Sequence, residues 1–256
     1  MSDHIQTELA DRILTVRMHR PDKKNALTPD MYGGLEGALR RADEDPGIHV
    51  VFLTGTEDCF SSGNDIQSFL AAQASSEDRP VIRFLRRLVD QKKPIVAAVN
   101  GPAVGVGVTM LLHCDLVYAA DSTRFQLPFA NIGICLEAAS SAILPVLMGR
   151  VRAAELILLG ETFSPEKARE YGIVNEVFPA AEYRARAYAK AQRLAAQPPD
   201  ALRTCRALLR RQSRESLHDA MTAEFAEVAR LVQGPEAREA MTAFLQKRKP
   251  DFSKPA

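Results

Sequence analysis

The chain predicts an α/β fold of strand–helix crossover units followed by a helical C-terminal appendage, and three patterns carry that expectation. Two alternating segments open the sequence, short apolar runs recur with helical stretches between them, and helical periodicity dominates after Val177.

The opening segments, Ile5 to Leu9 and Ile13 to Met18, read as two strands of a hairpin around Ala10-Asp11-Arg12. Thr28 followed by Pro29 is a helix start, and the pattern from Pro29 to Asp45 predicts a helix in spite of Gly33, Gly34 and Gly37. Ile48 to Leu53, Pro94 to Val99 and Asp115 to Ala119 are bounded apolar runs of the buried-strand kind, and their alternation with helical segments implies crossovers. Ala72 to Asp78, polar and small, predicts a surface loop that borders a ligand entrance. Ala180 to Ala196, Pro199 to Arg211, Glu215 to Val232 and Pro235 to Lys247 are the predicted helices of the last part. No fixed-period repeat of the solenoid kind is present.

At 256 residues the chain can bury a substantial core, which suits one domain plus an appendage. With 46% hydrophobic and 25% charged residues and a net charge of +1, its overall field points to neither nucleic acid nor a membrane surface. From Tyr183 to Ala256 there are fifteen Lys and Arg against eight Asp and Glu, which fits an anionic ligand, an acidic neighbouring subunit, or simply solvated helix faces. Arg203, Arg206, Arg210, Arg211 and Arg214 share one amphipathic helix with Leu202, Cys205, Leu208 and Leu209, so they do not make a nucleic-acid stripe. Cys59, Cys114, Cys135 and Cys205 lack metal-ligand spacing and read as reduced thiols. The apolar region Pro94 to Ala120 is broken by Asn100, Pro102, His113 and Asp115, which argues for a core and against a membrane span. MSDHIQTEL has no secretory pattern and Lys254-Pro255-Ala256 is no peroxisomal address, so a cytoplasmic setting is expected.

Two glycine-bearing loops follow buried strands and lead into helices: FSSGNDI (Phe60 to Ile66) and NGPAVGVGVTM (Asn100 to Met110). Neither carries a GxGxxG or Gly-Lys-Ser/Thr fingerprint. If the loops converge, the main-chain N–H groups of Asn64 and Val106 point at one oxygen and form an oxyanion hole; taken singly, each loop is equally a strand-to-helix turn. His113 and Asp115 read as a core histidine and a strand-edge aspartate, not a catalytic pair. No histidine base accompanies Ser61, Ser62, Ser140 or Ser141 in a nucleophile motif.

Together with HRPDKKNAL (His19 to Leu27) and LPFANIGICLEAASS (Leu127 to Ser141), these loops resemble the crotonase (enoyl-CoA hydratase/isomerase) superfamily, with four separated motifs in order. The resemblance implies a spiral of ββα crossover units over residues 1–196, bearing the coenzyme A and catalytic loops, and a helical capping or trimerisation region over 197–256. It implies an acyl-CoA thioester substrate, no separate cofactor and no metal, and a homotrimer or dimer of trimers. It places the thioester oxygen on the N–H groups of Asn64 and Val106. It places coenzyme A against Lys24, Ala26, Ser62, Gly63, Asn64, Asp65 and Ile66, with Phe244 and Lys247 approaching the nucleotide, often from a neighbouring subunit.

The two glutamates of the superfamily's hydratases are replaced here by Thr109 and Phe129. Glu137 instead coincides with the catalytic glutamate of peroxisomal-type Δ3,Δ2-enoyl-CoA isomerases, which implies movement of a 3-enoyl double bond to the 2-position by one proton-shuttling carboxylate. Another crotonase reaction, such as ring isomerisation in aromatic-acid breakdown or hydration, and a non-catalytic acyl-CoA-binding module stay open. Cys135, Leu136, Ala138 and Ala139 flank Glu137 and predict a partly desolvated carboxylate with a raised pKa; the alternative is a plain acidic residue in the first turn of a helix from Ala138 to Met148.

Overall fold

The computed structural model describes residues 3–71, 79–211 and 214–253. Its strands are β1 (Ile5–Ala10), β2 (Ile13–Met18), β3 (Val50–Thr54), β4 (Ile95–Val99), β5 (Pro102–Val104), β6 (Leu116–Ala120), β7 (Arg124–Gln126), β8 (Thr162–Phe163) and β9 (Glu176–Phe178). Its helices are α1 (Pro29–Glu44), α2 (Ile66–Ala71), α3 (Pro80–Asp90), α4 (Val106–Thr109), α5 (Ser140–Met148), α6 (Arg150–Leu159), α7 (Pro165–Glu170), α8 (Tyr183–Ala195), α9 (Pro199–Arg210), α10 (Arg214–Val232) and α11 (Pro235–Leu245). The predicted loop at Ala72 to Asp78 lies outside the described residues.

The main sheet has the order β1-β2-β3-β4-β6-β9, antiparallel in the opening hairpin and parallel thereafter. Asp11 and Arg12 both take positive φ (50° and 63°), the conformation that a two-residue turn needs to match the twist of its strands. The parallel strands are apolar on both sides because both faces of the sheet are covered. Val51, Leu53, Ile95, Ala97 and Val99 pack toward the large core that includes α1 and α3. Val50, Phe52, Val96, Ala98 and Tyr118 face α8, whose Ala187, Ala191 and Ala195 recur every four residues and let the helix lie close.

The sequence does not predict the second sheet, β5-β7-β8, whose strands are three residues or fewer. It stacks one turn of the spiral on the next: β5 follows β4 directly and pairs with β7 in parallel, with Ala103 opposite Phe125. The helix predicted from Ala138 instead begins at Ser140, because Ala138 and Ala139 turn into the left-handed region (φ 60° and 57°). Glu137 therefore precedes the helix and is not part of its first turn.

The C-terminal helices return over the core. Arg206 of α9, only 6% exposed, donates from Nε to Asp115 at 2.8 Å and from Nη1 to the Gln91 carbonyl. Asp115 in turn accepts the Ile95 N–H at 2.8 Å, so one aspartate joins α9 to the starts of β4 and β6. The discounted catalytic pair is thus accounted for on the aspartate side by packing. Truncation of the arginine leaves Asp115 with Arg210 at 3.4 Å and the Ile95 N–H but removes two charge-assisted hydrogen bonds, and we expect Arg206→Ala to lower unfolding free energy by about 2 kcal/mol in urea titrations. A loss below about 0.5 kcal/mol, the usual range for a surface change, would refute this role.

Candidate active site

The two glycine-bearing loops lie side by side. Ser61 pairs with Ala103 as a parallel bridge: the Ser61 N–H donates to Pro102 O at 3.1 Å, and the Val104 N–H donates to Ser61 O at 2.9 Å. Such close approach needs glycine at Gly107, where an added Cβ would sit 2.8 Å from Ser61 O. Gly63 adds a left-handed φ of 94° and a Cβ position 3.0 Å from Val104 O. Three residues beyond the bridge on each loop come Asn64 and Val106.

A second bridge, Leu27 to Asn64, fixes the first loop from the other side: Leu27 N–H donates to Gly63 O and Asp65 N–H to Leu27 O. The Asn64 N–H is thereby turned away from that pairing. Val106 is the first residue of α4, where a helical N–H has no intrahelical partner. Among the described residues, neither of these two N–H groups donates to a protein acceptor.

A cavity of about 840 Å³, its open mouth included, runs from this region under the C-terminal helices. Asn64, Asp65 and Glu137 line it together with Tyr32, Arg79 and an apolar wall of Val81, Ile82, Phe225, Val228 and Val232. Glu137 is 8% exposed and accepts a long hydrogen bond, 3.4 Å, from the Thr109 hydroxyl. Burial pushes its carboxyl up from 4.5 to about 7, helped by the nearby Glu224 charge and opposed in part by Thr109. The predicted desolvated carboxylate is present, and the first-turn alternative is not.

Asp65, the other acid on the cavity wall, is committed elsewhere. Its Oδ2 pairs with Arg20 at 2.9 Å and its Oδ1 accepts the Ser68 N–H at 2.9 Å, capping α2. Burial works to raise its pKa, but Ser68 and Arg20 together hold it below the ordinary value. Tyr32 is buried, and its hydroxyl donates to the Asn64 Oδ1. Burial, and secondarily the Glu137 charge, keep that phenol protonated far above neutral pH.

Of the residues expected to meet coenzyme A, Asn64 and Asp65 line the cavity, while Lys24, Ala26, Ser62, Gly63 and Ile66 belong to the same two hydrogen-bonded loops without lining it. Lys24 is exposed in a left-handed turn, its carbonyl accepting the Ser62 N–H at 3.0 Å, while the Ala26 carbonyl accepts from Arg20 at 2.9 Å. Phe244 and Lys247 do not join them: they are exposed at the end of α11 and do not line the cavity. Among the described residues no group of three or more His, Cys, Asp and Glu is arranged to hold a metal, and no helix is long and apolar enough to cross a membrane.

Four participants escaped sequence reading. Tyr32 and Glu224 lie far along the chain from the motifs they touch. Thr109 stood out only as a missing glutamate. His113 is indeed a core residue, yet its Nε2–H donates to the Ala138 carbonyl at 2.8 Å, directly on the turn beside Glu137. Burial, aided by Arg210 and Arg206, lowers its pKa to about 4 in spite of the Ala138 bond, so the ring is neutral.

Comparison with known proteins identifies the family. The chain is 39% identical to rat enoyl-CoA delta isomerase 2 over 80% of its own length, and it spans 54% of that protein. It is 33% identical to the Arthrobacter 4-chlorobenzoyl coenzyme A dehalogenase-2 over 95% of this chain and 91% of that one. An enoyl-CoA hydratase/isomerase of Pseudoalteromonas atlantica superposes with a TM-score of 0.94 at 37% identity, covering 98% of this chain and all of the other. Residues 8–255 match the family described as enoyl-CoA hydratase/isomerase, and the chain, a crotonase-fold enzyme, belongs to it.

Proposed function

We propose that the protein isomerises 3-enoyl-CoA thioesters to the conjugated 2-enoyl-CoA, with Glu137 as the single proton carrier. The observation that carries this reading is one buried carboxylate, without an ion pair among the described residues, on the wall of a cavity that Asn64 also lines, while the Asn64 and Val106 N–H groups have no protein acceptor. Glu137 takes a proton from C2, the negative charge moves to the thioester oxygen, and the protonated acid returns a proton at C4. The N–H groups of Asn64 and Val106 hold the oxygen as charge develops on it. A carboxyl with a pKa of about 7 is matched to both halves of this task, since it is neither too weak a base nor too weak an acid near neutral pH.

Hydration asks for a second carboxylate to manage the added water. Thr109 and Phe129 cannot serve, and Asp65 is held by Arg20 and Ser68. The similarity to a dehalogenase keeps a different reaction on an aromatic thioester as the rival reading. Coenzyme A lies along the two loops, from Lys24 and Ala26 to Ser62, Gly63, Asn64, Asp65 and Ile66. A neighbouring copy in a trimer brings Phe244 and Lys247 to the nucleotide; exposed Val146, Val151 and Leu158 on α5 and α6 favour such self-association. A cytoplasmic location is proposed with it.

Assays of wild type and Glu137→Gln with 3-enoyl-CoA and 4-chlorobenzoyl-CoA separate the readings. We expect conversion of the 3-enoyl thioester only, and a loss of about 1,000-fold in kcat for the variant. Wild-type kcat/KM rises with pH through about 7, where Glu137 ionises, and is level above it. An unaffected Glu137→Gln would end the mechanism.

Val106→Pro tests the main-chain donor separately. Proline suits the first position of a helix, so α4 persists while the N–H is gone. A fall of about 100-fold to 1,000-fold in kcat is expected, against little change for Val106→Ala.

Burial of Glu137 also sets a stability difference. Its folded pKa is raised, so the native state holds its proton more tightly than the unfolded chain between 4.5 and about 7, and stability falls as pH rises through that window. Glu137→Gln removes this term. The variant is expected to unfold at higher urea than wild type at pH 8, by about 2–3 kcal/mol, with the gap closing below pH 4.5.

A further inference from the structure

The turn bearing Glu137 is strained and is held from a distant helix. Ala138 and Ala139 both occupy the left-handed region, which alanine adopts only when its surroundings over-determine it. The constraint comes from α10. Glu224, 6% exposed, accepts the Ala139 N–H on Oε2 at 2.7 Å and the Ser141 N–H on Oε1 at 2.9 Å. α5 has no side-chain cap of its own, and Glu224 fills that place from outside the helix.

We propose that Glu224 is a positioning residue of the catalytic centre: it clamps the Ala138–Ser141 main chain so that Glu137 faces the cavity, and it fixes a second negative charge behind that carboxylate. This rests on Glu137 being the proton carrier. Both Glu224 oxygens accept main-chain N–H groups, which favour its ionised form and partly offset the burial that raises its carboxyl above the ordinary value.

The same helix makes the acyl wall. Phe225, the next residue, and Val228, Ala229 and Val232 line the cavity that Glu137 faces. Clamp and wall are one rigid body, so the acyl group that packs on α10 is held in register with the carboxylate that must reach its C2 and C4.

Several other groups surround Glu137. Tyr32 of α1 stays neutral, Arg79 before α3 and Asp65 lie on the cavity wall, and His113 is neutral behind Ala138. Of the charges, Glu224 and not Asp65 or Arg79 bears on the Glu137 titration.

The test uses the intact protein labelled with ¹³C at glutamate carboxyls, with Glu137→Gln to assign the Glu137 resonance. Glu224→Gln, checked for folding by circular dichroism, is expected to lower the Glu137 titration midpoint. The acidic limb of kcat/KM should move to lower pH with it, and kcat should fall about 100-fold with little change in KM. Glu224→Asp keeps the charge and shortens the reach; it should retain the high midpoint and still lose kcat. Glu227→Gln, a surface change on the same helix at a residue paired with Arg230 at 2.6 Å, should alter neither.

A folded Glu224→Gln with the wild-type Glu137 midpoint and kcat overturns the proposal. Where Glu224→Gln fails to fold, a Glu224→Asp protein with wild-type kcat and pH profile overturns it. Absence of 3-enoyl turnover in wild type would sink the proposed reaction alone, since the carboxyl titration needs no substrate.

Discussion

The parallel pairing of Ser61 with Ala103 sets the geometry on which the site depends, because it aligns two loops that come from different strands of the main sheet. β3 and β4 are neighbours in register, so the chain leaving each of them emerges at the same edge. Their loops then have two ways to satisfy main-chain groups: pair with each other, or stay open to solvent. They pair at the start and part afterwards, and this leaves the N–H groups of Asn64, on the cavity wall, and of Val106, at the start of α4, without protein acceptors among the described residues. Gly63 and Gly107 are the steric condition, since a side chain at either would force the loops apart.

An unpaired donor and a buried acid both oppose folding, and the surrounding structure offsets them locally. The strained turn at Ala138 and Ala139 is fastened by five hydrogen bonds: Ser140 Oγ and N–H to the Glu137 carbonyl, His113 to the Ala138 carbonyl, and the Ala139 and Ser141 N–H groups to Glu224. His113 can serve only as a neutral ring in this apolar place, and burial keeps it so. Rigidity around the acid follows from hydrogen bonds made by its neighbours, while the acid itself has only the long contact to Thr109 and remains free to exchange a proton.

The central strands were legible because continuous apolar runs of five residues are what a sheet covered on both faces requires, and the C-terminal helices because their periodicity is strong. β5, β7 and β8 were not, since two or three residues carry no period. The start of α5 was misplaced by two residues for a different reason. Alanine is a good helix former, so nothing local announces that Ala138 and Ala139 are left-handed; the cause is Glu224, many residues later in the chain. Glu137 and the two loops were legible through motif, and its desolvation through its apolar neighbours. Tyr32 was not, because a tyrosine in an amphipathic helix reads as core until Asn64 is brought against its hydroxyl.

The scaffold is shared by proteins named for isomerisation and for dehalogenation, so the N–H pair and the fold alone do not choose a reaction. The choice falls to the acids that face the substrate and to whether each is free. Among the described residues two carboxylates line this cavity, and the structure disposes of them in opposite ways. Asp65 is tied to a guanidinium and a main-chain N–H, which stabilise its charge and remove it from proton transfer. Among the described residues Glu137 has no cationic partner, and burial, followed by the nearby Glu224, raises its proton affinity toward neutral. One acid held ionised and one poised to exchange, among the described residues, suit the proposed reaction, in which one carboxylate moves a proton between two carbons on one face of an acyl chain.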